Sequence, residues 1–109
     1  MKKENYLERK PSRADFVGWS TENGIVTLEI ENKGIMKRLT QMLLNKPRKT
    51  YIHLDKKGSL AWRQIDGKTD IIALGKAVSE HFGDKAEPLY ERLVKYFQIL
   101  ESYGFVKLK

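Results

Sequence analysis

The chain contains no cysteine among its 109 residues, which removes disulfides, iron–sulfur clusters and thiolate zinc sites. It has no apolar run approaching the roughly 18 residues that a membrane-spanning helix needs. The opening Met1-Lys2-Lys3-Glu4-Asn5 leads into no apolar signal core, so a cytoplasmic protein is expected. Histidine is scarce: His53 and His81 fall on different expected elements and share no ligand spacing, so no metal site is expected. Gly67-Lys68-Thr69 lacks the upstream glycine that a phosphate loop requires. Ser59 and Ser102 have no neighbouring base, and no carboxylates form a distinctive pair. These absences predict a binding protein, not an enzyme, with no cofactor.

What is present is charge, unevenly spread. The formal net charge is +7, and residues 1–57 hold thirteen Lys or Arg against seven Asp or Glu, a net of +6. A basic half attracts an acidic partner, whether peptide, protein or nucleic acid. Hydrophobic residues make up 40% of the chain, enough for one globular core.

Hydrophobic periodicity orders the elements. Residues 1–14 read as a polar arm, loose or extended, and 15–109 as a single domain. Asp15–Ser20 is expected as a strand, followed by the turn signal Asn23-Gly24. Val26, Leu28 and Ile30 alternate with Thr27 and Glu29, the period of a strand with one buried face. Ile35, Leu39 and Leu43 recur every four residues, which predicts a short amphipathic helix over 33–46, inserted between strands two and three. Buried in a second copy, that stripe would make a homodimer. Lys49–Asp55 returns to period two. Three helices are then expected. One is capped by Asp55 and runs to about Asp66, with Trp62 packed inward. The second is capped by Thr69 and buries Ile71, Leu74, Val78 and Phe82. The third starts at 84–87 with Pro88 in its first turn and ends at Gly104. Phe105–Leu108 is a last short strand. The fold class is α+β: a small antiparallel three-stranded sheet packed on three C-terminal helices, winged-helix-like.

From Tyr51 to Phe105 the chain resembles the PqqD family of pyrroloquinoline quinone biosynthesis. The resemblance rests on Ile52-His53-Leu54-Asp55, Gly58-Ser59-Leu60-Ala61-Trp62 and Ile65-Asp66-Gly67-Lys68-Thr69. It continues through Phe82-Gly83, Leu93, Phe97, Leu100 and Gly104-Phe105-Val106. It implies a domain that recognises the leader of a ribosomally made precursor peptide. Such a domain presents the leader to a modifying enzyme, often of radical S-adenosylmethionine type. It also implies that the leader adds a strand to the sheet edge and lies against the last helix. The family joins its second and third strands by a short turn, so the segment 33–46 departs from its pattern.

Carried onto this sequence, the peptide site comprises Lys49, Thr50, Tyr51, Ile52, His53 and Leu54 on the strand, with Tyr90, Val94, Lys95 and Phe97 on the helix. Backbone groups of Tyr51 and His53 would supply ladder hydrogen bonds, and proline at one of the two is expected to cost only binding, at the other the sheet. Tyr90, Val94 and Phe97 would form an apolar wall, while Lys49 or Lys95 would meet carboxylates. The alternative is a winged-helix DNA-binding protein. Against it, residues 86–102 carry Glu87, Glu91 and Glu101 against Arg92 and Lys95, a poor recognition helix for a phosphate-lined groove, so specific DNA binding is not expected.

Overall fold

The computed structural model describes residues 6–31 and 49–109. The helix expected over 33–46, with its stripe of Ile35, Leu39 and Leu43, lies outside the described residues. The fold is α+β, with a three-stranded antiparallel sheet and three α-helices among the described residues.

Strand β1 (Pro11–Arg13) is followed by β2 (Val17–Glu22) and β3 (Ile25–Glu31), which form a hairpin. The hairpin turns on Asn23 and Gly24, with φ of 53° and 79°. Two consecutive positive φ angles match the right-handed twist of the flanking strands. The first long strand therefore begins and ends two residues later than the sequence pattern suggested. Val17 N–H bonds to the Ala14 carbonyl and holds residues 14–17 in a turn, while Thr21 and Glu22 stay in the ladder. Strand β4 (Lys49–His53) pairs antiparallel with β3, giving the order β2-β3-β4.

Val26, Leu28 and Ile30 are buried, as their alternation requires. They meet helix α1 (Lys56–Gln64), whose Trp62 is fully buried. Asp55 caps α1 by accepting from Gly58 N at 2.7 Å. The buried Ser59 hydroxyl accepts from Val26 N at 2.7 Å and donates to the Leu54 carbonyl, so a helix side chain closes the end of the β3–β4 ladder.

Helix α2 (Ile71–Phe82) buries Ile71, Leu74, Gly75 and Val78. Its cap is Asp70, which accepts from Ala73 N at 2.9 Å, and not Thr69. Thr69 is taken by the preceding turn, where the two Asp66 carboxylate oxygens accept from Lys68 N, Thr69 N and Thr69 Oγ1. A 3-10 turn (Gly83–Ala86) then precedes helix α3 (Leu89–Ser102), so the third helix starts later than expected and Pro88 stands at its cap. A proline excludes the helical conformation from the residue before it, and Glu87 is extended at φ −76° and ψ 145°.

Helix α3 buries Leu89, Leu93, Phe97 and Leu100. It stops at Gly104 (φ 77°), with Phe105 N bonded to Leu100 O and Gly104 N to Glu101 O. This pair of bonds satisfies the last carbonyls of the helix and turns the chain back. Strand β5 (Val106–Leu108) then pairs antiparallel with β1. Pro11 O accepts from Gly67 N and Arg9 O from Ile71 N, so residues 9–13 of the polar arm are held between β5 and the start of α2.

Candidate functional site

Strand β4 forms one edge of the three-stranded sheet among the described residues. In an antiparallel ladder the two backbone groups of a residue point the same way, and successive residues alternate. Leu54 N–H bonds inward to Val26 O at 2.9 Å. By that parity Ile52 and Thr50 also bond towards β3, while Lys49, Tyr51 and His53 direct their N–H and C=O groups to the outer edge. Tyr51 and His53 are therefore equivalent. The expectation that proline would separate them is corrected, because residues two apart share one side of a strand.

The side chains divide by the same alternation. Lys49, Tyr51 and His53 stand on the face of the sheet away from the helices, and Tyr51 is 58% exposed. His53 Nδ1 lies 2.8 Å from Thr27 Oγ1 across the ladder. Lys49 Nζ is 2.7 Å from Glu29 Oε1, and this bond and charge raise its pKa above the ordinary value. Its ammonium is already engaged on that face.

Ile52 and Leu54 stand on the opposite face and line an apolar groove of about 170 Å³. The other wall is α3, through Tyr96, Ile99, Leu100 and Tyr103. Ile99 is 49% exposed, one of few large apolar side chains left open among the described residues.

The helix residues expected for this wall are placed differently. Phe97 is fully buried in the core. Tyr90 packs over Gly75 of α2 and donates its hydroxyl to the Ile72 carbonyl at 3.2 Å. Val94, one turn on, shares that flank. At 100° per residue, Tyr90 and Val94 lie roughly opposite Tyr96, Ile99 and Tyr103 around the axis. The core stripe of Leu89, Leu93 and Leu100 leaves two flanks open; Tyr90 and Val94 lie on the one towards α2, and Tyr96, Ile99 and Tyr103 on the one that lines the groove beside β4. Tyr96, Ile99 and Tyr103 share a flank by their spacing (i, i+3, i+7), as Tyr90 and Val94 do by theirs (i, i+4), so spacing alone does not choose between the two.

Lys95 lines a second, larger hollow of about 310 Å³. This hollow adjoins the first at Tyr96 and Ile99, which line both. Val78, Ala86, Leu89 and Leu93 form its floor, and Lys57, Arg92 and Lys95 stand with Asp55 on its sides. Tyr96 donates its hydroxyl to Gly58 O at 2.7 Å. Burial, then the charge of Asp55, pushes that hydroxyl far above its ordinary pKa, so it is a neutral donor. No group of three His, Asp or Glu side chains converges as a metal site among the described residues.

An outward-facing strand edge beside an apolar groove is a shape that accepts an extended peptide, and the family comparison agrees with it. The family model for coenzyme PQQ synthesis protein D matches residues 40–106, more than half of the chain. The chain belongs to the PqqD family. No curated protein and no solved structure matches it. PqqD proteins are small accessory, peptide-binding proteins of cofactor and peptide maturation. The matched span contains β4 and all of α1, α2 and α3, and hence both walls of the groove. No helix among the described residues is long and apolar enough to cross a membrane.

Proposed function

We propose that this protein binds the leader of a ribosomally made precursor peptide and presents it to a modifying enzyme of radical S-adenosylmethionine type, acting in the cytoplasm without catalysis of its own. Residues 15–109 are the binding domain, winged-helix-like in the way the β2–β3 hairpin stands beside three helices, and residues 1–14 are its arm, of which 9–13 lie against the domain. The observation that carries this reading is the outward-facing edge of β4 directly beside the apolar groove. A strand added about 4.8 Å outside β4 would bond to the backbone of Tyr51 and His53. Its side chains, alternating in direction, would drop into the groove between Ile52, Leu54 and Ile99. Main-chain bonds give affinity, and the groove selects among side chains.

The test uses twelve-residue peptides selected from a random display library on the intact protein. Tyr51→Pro and His53→Pro each remove an outward N–H and leave the β3–β4 bonds in place. Both variants should keep their melting temperature and lose the selected peptides by tenfold or more. Ile52→Pro should instead disrupt the sheet. Unchanged peptide affinity in folded Tyr51→Pro and His53→Pro would overturn the strand-edge reading.

A further inference from the structure

The groove beside β4 does not end where β4 ends. Past His53 the chain turns at Leu54 and Asp55 into α1, and there the apolar surface continues, across Tyr96 and Ile99, into the larger hollow. The two hollows differ in their surroundings. The smaller is lined by apolar and tyrosine side chains alone. The larger has an apolar floor and carries Lys57, Arg92 and Lys95 on its sides. None of these three cations has an ion-pair partner among the described residues. Lys57 Nζ sits 5.4 Å from the centre of the Phe82 ring, which neutralises no charge. The one carboxylate of the hollow, Asp55, is occupied with Gly58 N as the cap of α1. The site is therefore apolar at its base and positive at its mouth.

The geometry points to a second specificity site for the same bound peptide: the larger hollow takes a bulky apolar side chain that neighbours an Asp or Glu, in the part of the peptide that runs past the end of β4. This inference rests on the strand-edge reading and adds to it a sequence requirement that backbone pairing cannot impose. The reach is short. At about 3.3 Å per residue, a peptide paired with the five residues of β4 needs two or three more to come level with Asp55. The apolar side chain would cover Leu89 and Val78, and the carboxylate would sit among Arg92, Lys95 and Lys57. Arginine and lysine at such a mouth favour an acidic peptide and disfavour a basic one.

The experiment selects twelve-residue peptides from the same random library on the wild-type protein. Expected among them is a cassette near one end in which Leu, Ile, Phe or Met neighbours Asp or Glu. Three measurements follow on one such peptide. Arg92→Glu combined with Lys95→Glu should weaken its binding at least tenfold. Serine in place of the cassette's apolar residue should weaken binding to the wild type by a similar factor, which general charge attraction would not produce. Methyl signals of Val78 and Leu89 should shift with the full peptide and not with one lacking the cassette. If the truncated peptide binds the wild type as tightly as the full one, still sensitive to Tyr51→Pro, the hollow is not a peptide site and the strand-edge reading stands alone. If the selected peptides ignore Tyr51→Pro and His53→Pro, the strand-edge reading fails and this inference fails with it.

Discussion

The Tyr96 hydroxyl donates to the Gly58 carbonyl at 2.7 Å and ties α3 to the first turn of α1 where the two hollows meet. Gly58 permits the approach, since a Cβ there would lie 3.0 Å from both the Tyr96 ring and the Asp55 carboxylate. Tyr96→Phe keeps the ring and loses the bond. It should lower stability by about 1 kcal/mol, the usual net worth of one hydrogen bond. Denaturant unfolding measures this, and a loss indistinguishable from zero would mean that ring packing alone holds the junction.

At Gly75 the side chains of α3 pack directly on α2. A Cβ there would sit 2.6 Å from Tyr90 Cε1 and 3.0 Å from Leu93 Cδ1. On helix propensity alone, Gly75→Ala should stabilise by about 1 kcal/mol. Overpacking of a filled interface costs about 1–3 kcal/mol and should win. The expected outcome is a lower melting temperature. A higher one would show that Tyr90 moves aside freely and that its bond to Ile72 contributes little.

Trp62 is fully buried, and its Nε1 has no hydrogen-bond partner among the described residues. Its role is packing between α1 and the sheet. Trp62→Ala should destabilise by about 3–5 kcal/mol. Trp62→Phe should cost clearly less, because it removes an indole N–H along with part of the ring. Equal losses in calorimetry would show that the N–H contributes to stability through a partner.

Asp66 organises the turn between α1 and α2, and the N–H groups of Lys68 and Thr69 hold its carboxyl below the usual carboxylate range. A carboxyl whose folded pKa is depressed contributes stability above its unfolded pKa and loses it as the pH falls through the folded value. Asp66→Ala should therefore melt earlier than wild type at pH 7, and the gap should narrow below about pH 4 as acid protonates the wild-type carboxyl. A gap independent of pH would assign the turn to something other than the ionised carboxylate.

Duplex DNA offers a contrast for the basic half of the chain. Exposed lysines and arginines should give weak binding, blind to base sequence, that declines steeply as salt rises from about 50 to 200 mM. Gel-shift titration against several duplexes checks this. A tight preference for one duplex at the higher salt would move the β4 groove out of first place as the functional surface.

Local physics is enough to read much of this fold from the sequence. Val26, Leu28 and Ile30 announce a one-faced strand, Asn23-Gly24 a two-residue hairpin, and Leu89, Leu93, Phe97 and Leu100 a helix stripe, because each pattern is a period within one element. The family, too, was legible in the order of short segments from Ile52 to Val106. Three things were decided only by tertiary structure. The pairing of Pro11–Arg13 with Val106–Leu108 joins two three-residue strands at opposite ends of the described chain, too short to show a period. Ser59 carries no sequence sign that it closes a strand ladder, since its partner Val26 lies 33 residues away. The flank of α3 that lines the groove could not be chosen from periodicity. A helical stripe states which face is buried, whereas the two flanks beside it are equivalent until a neighbour covers one. Here α2 covers Tyr90, and β4 stands beside Tyr96, Ile99 and Tyr103.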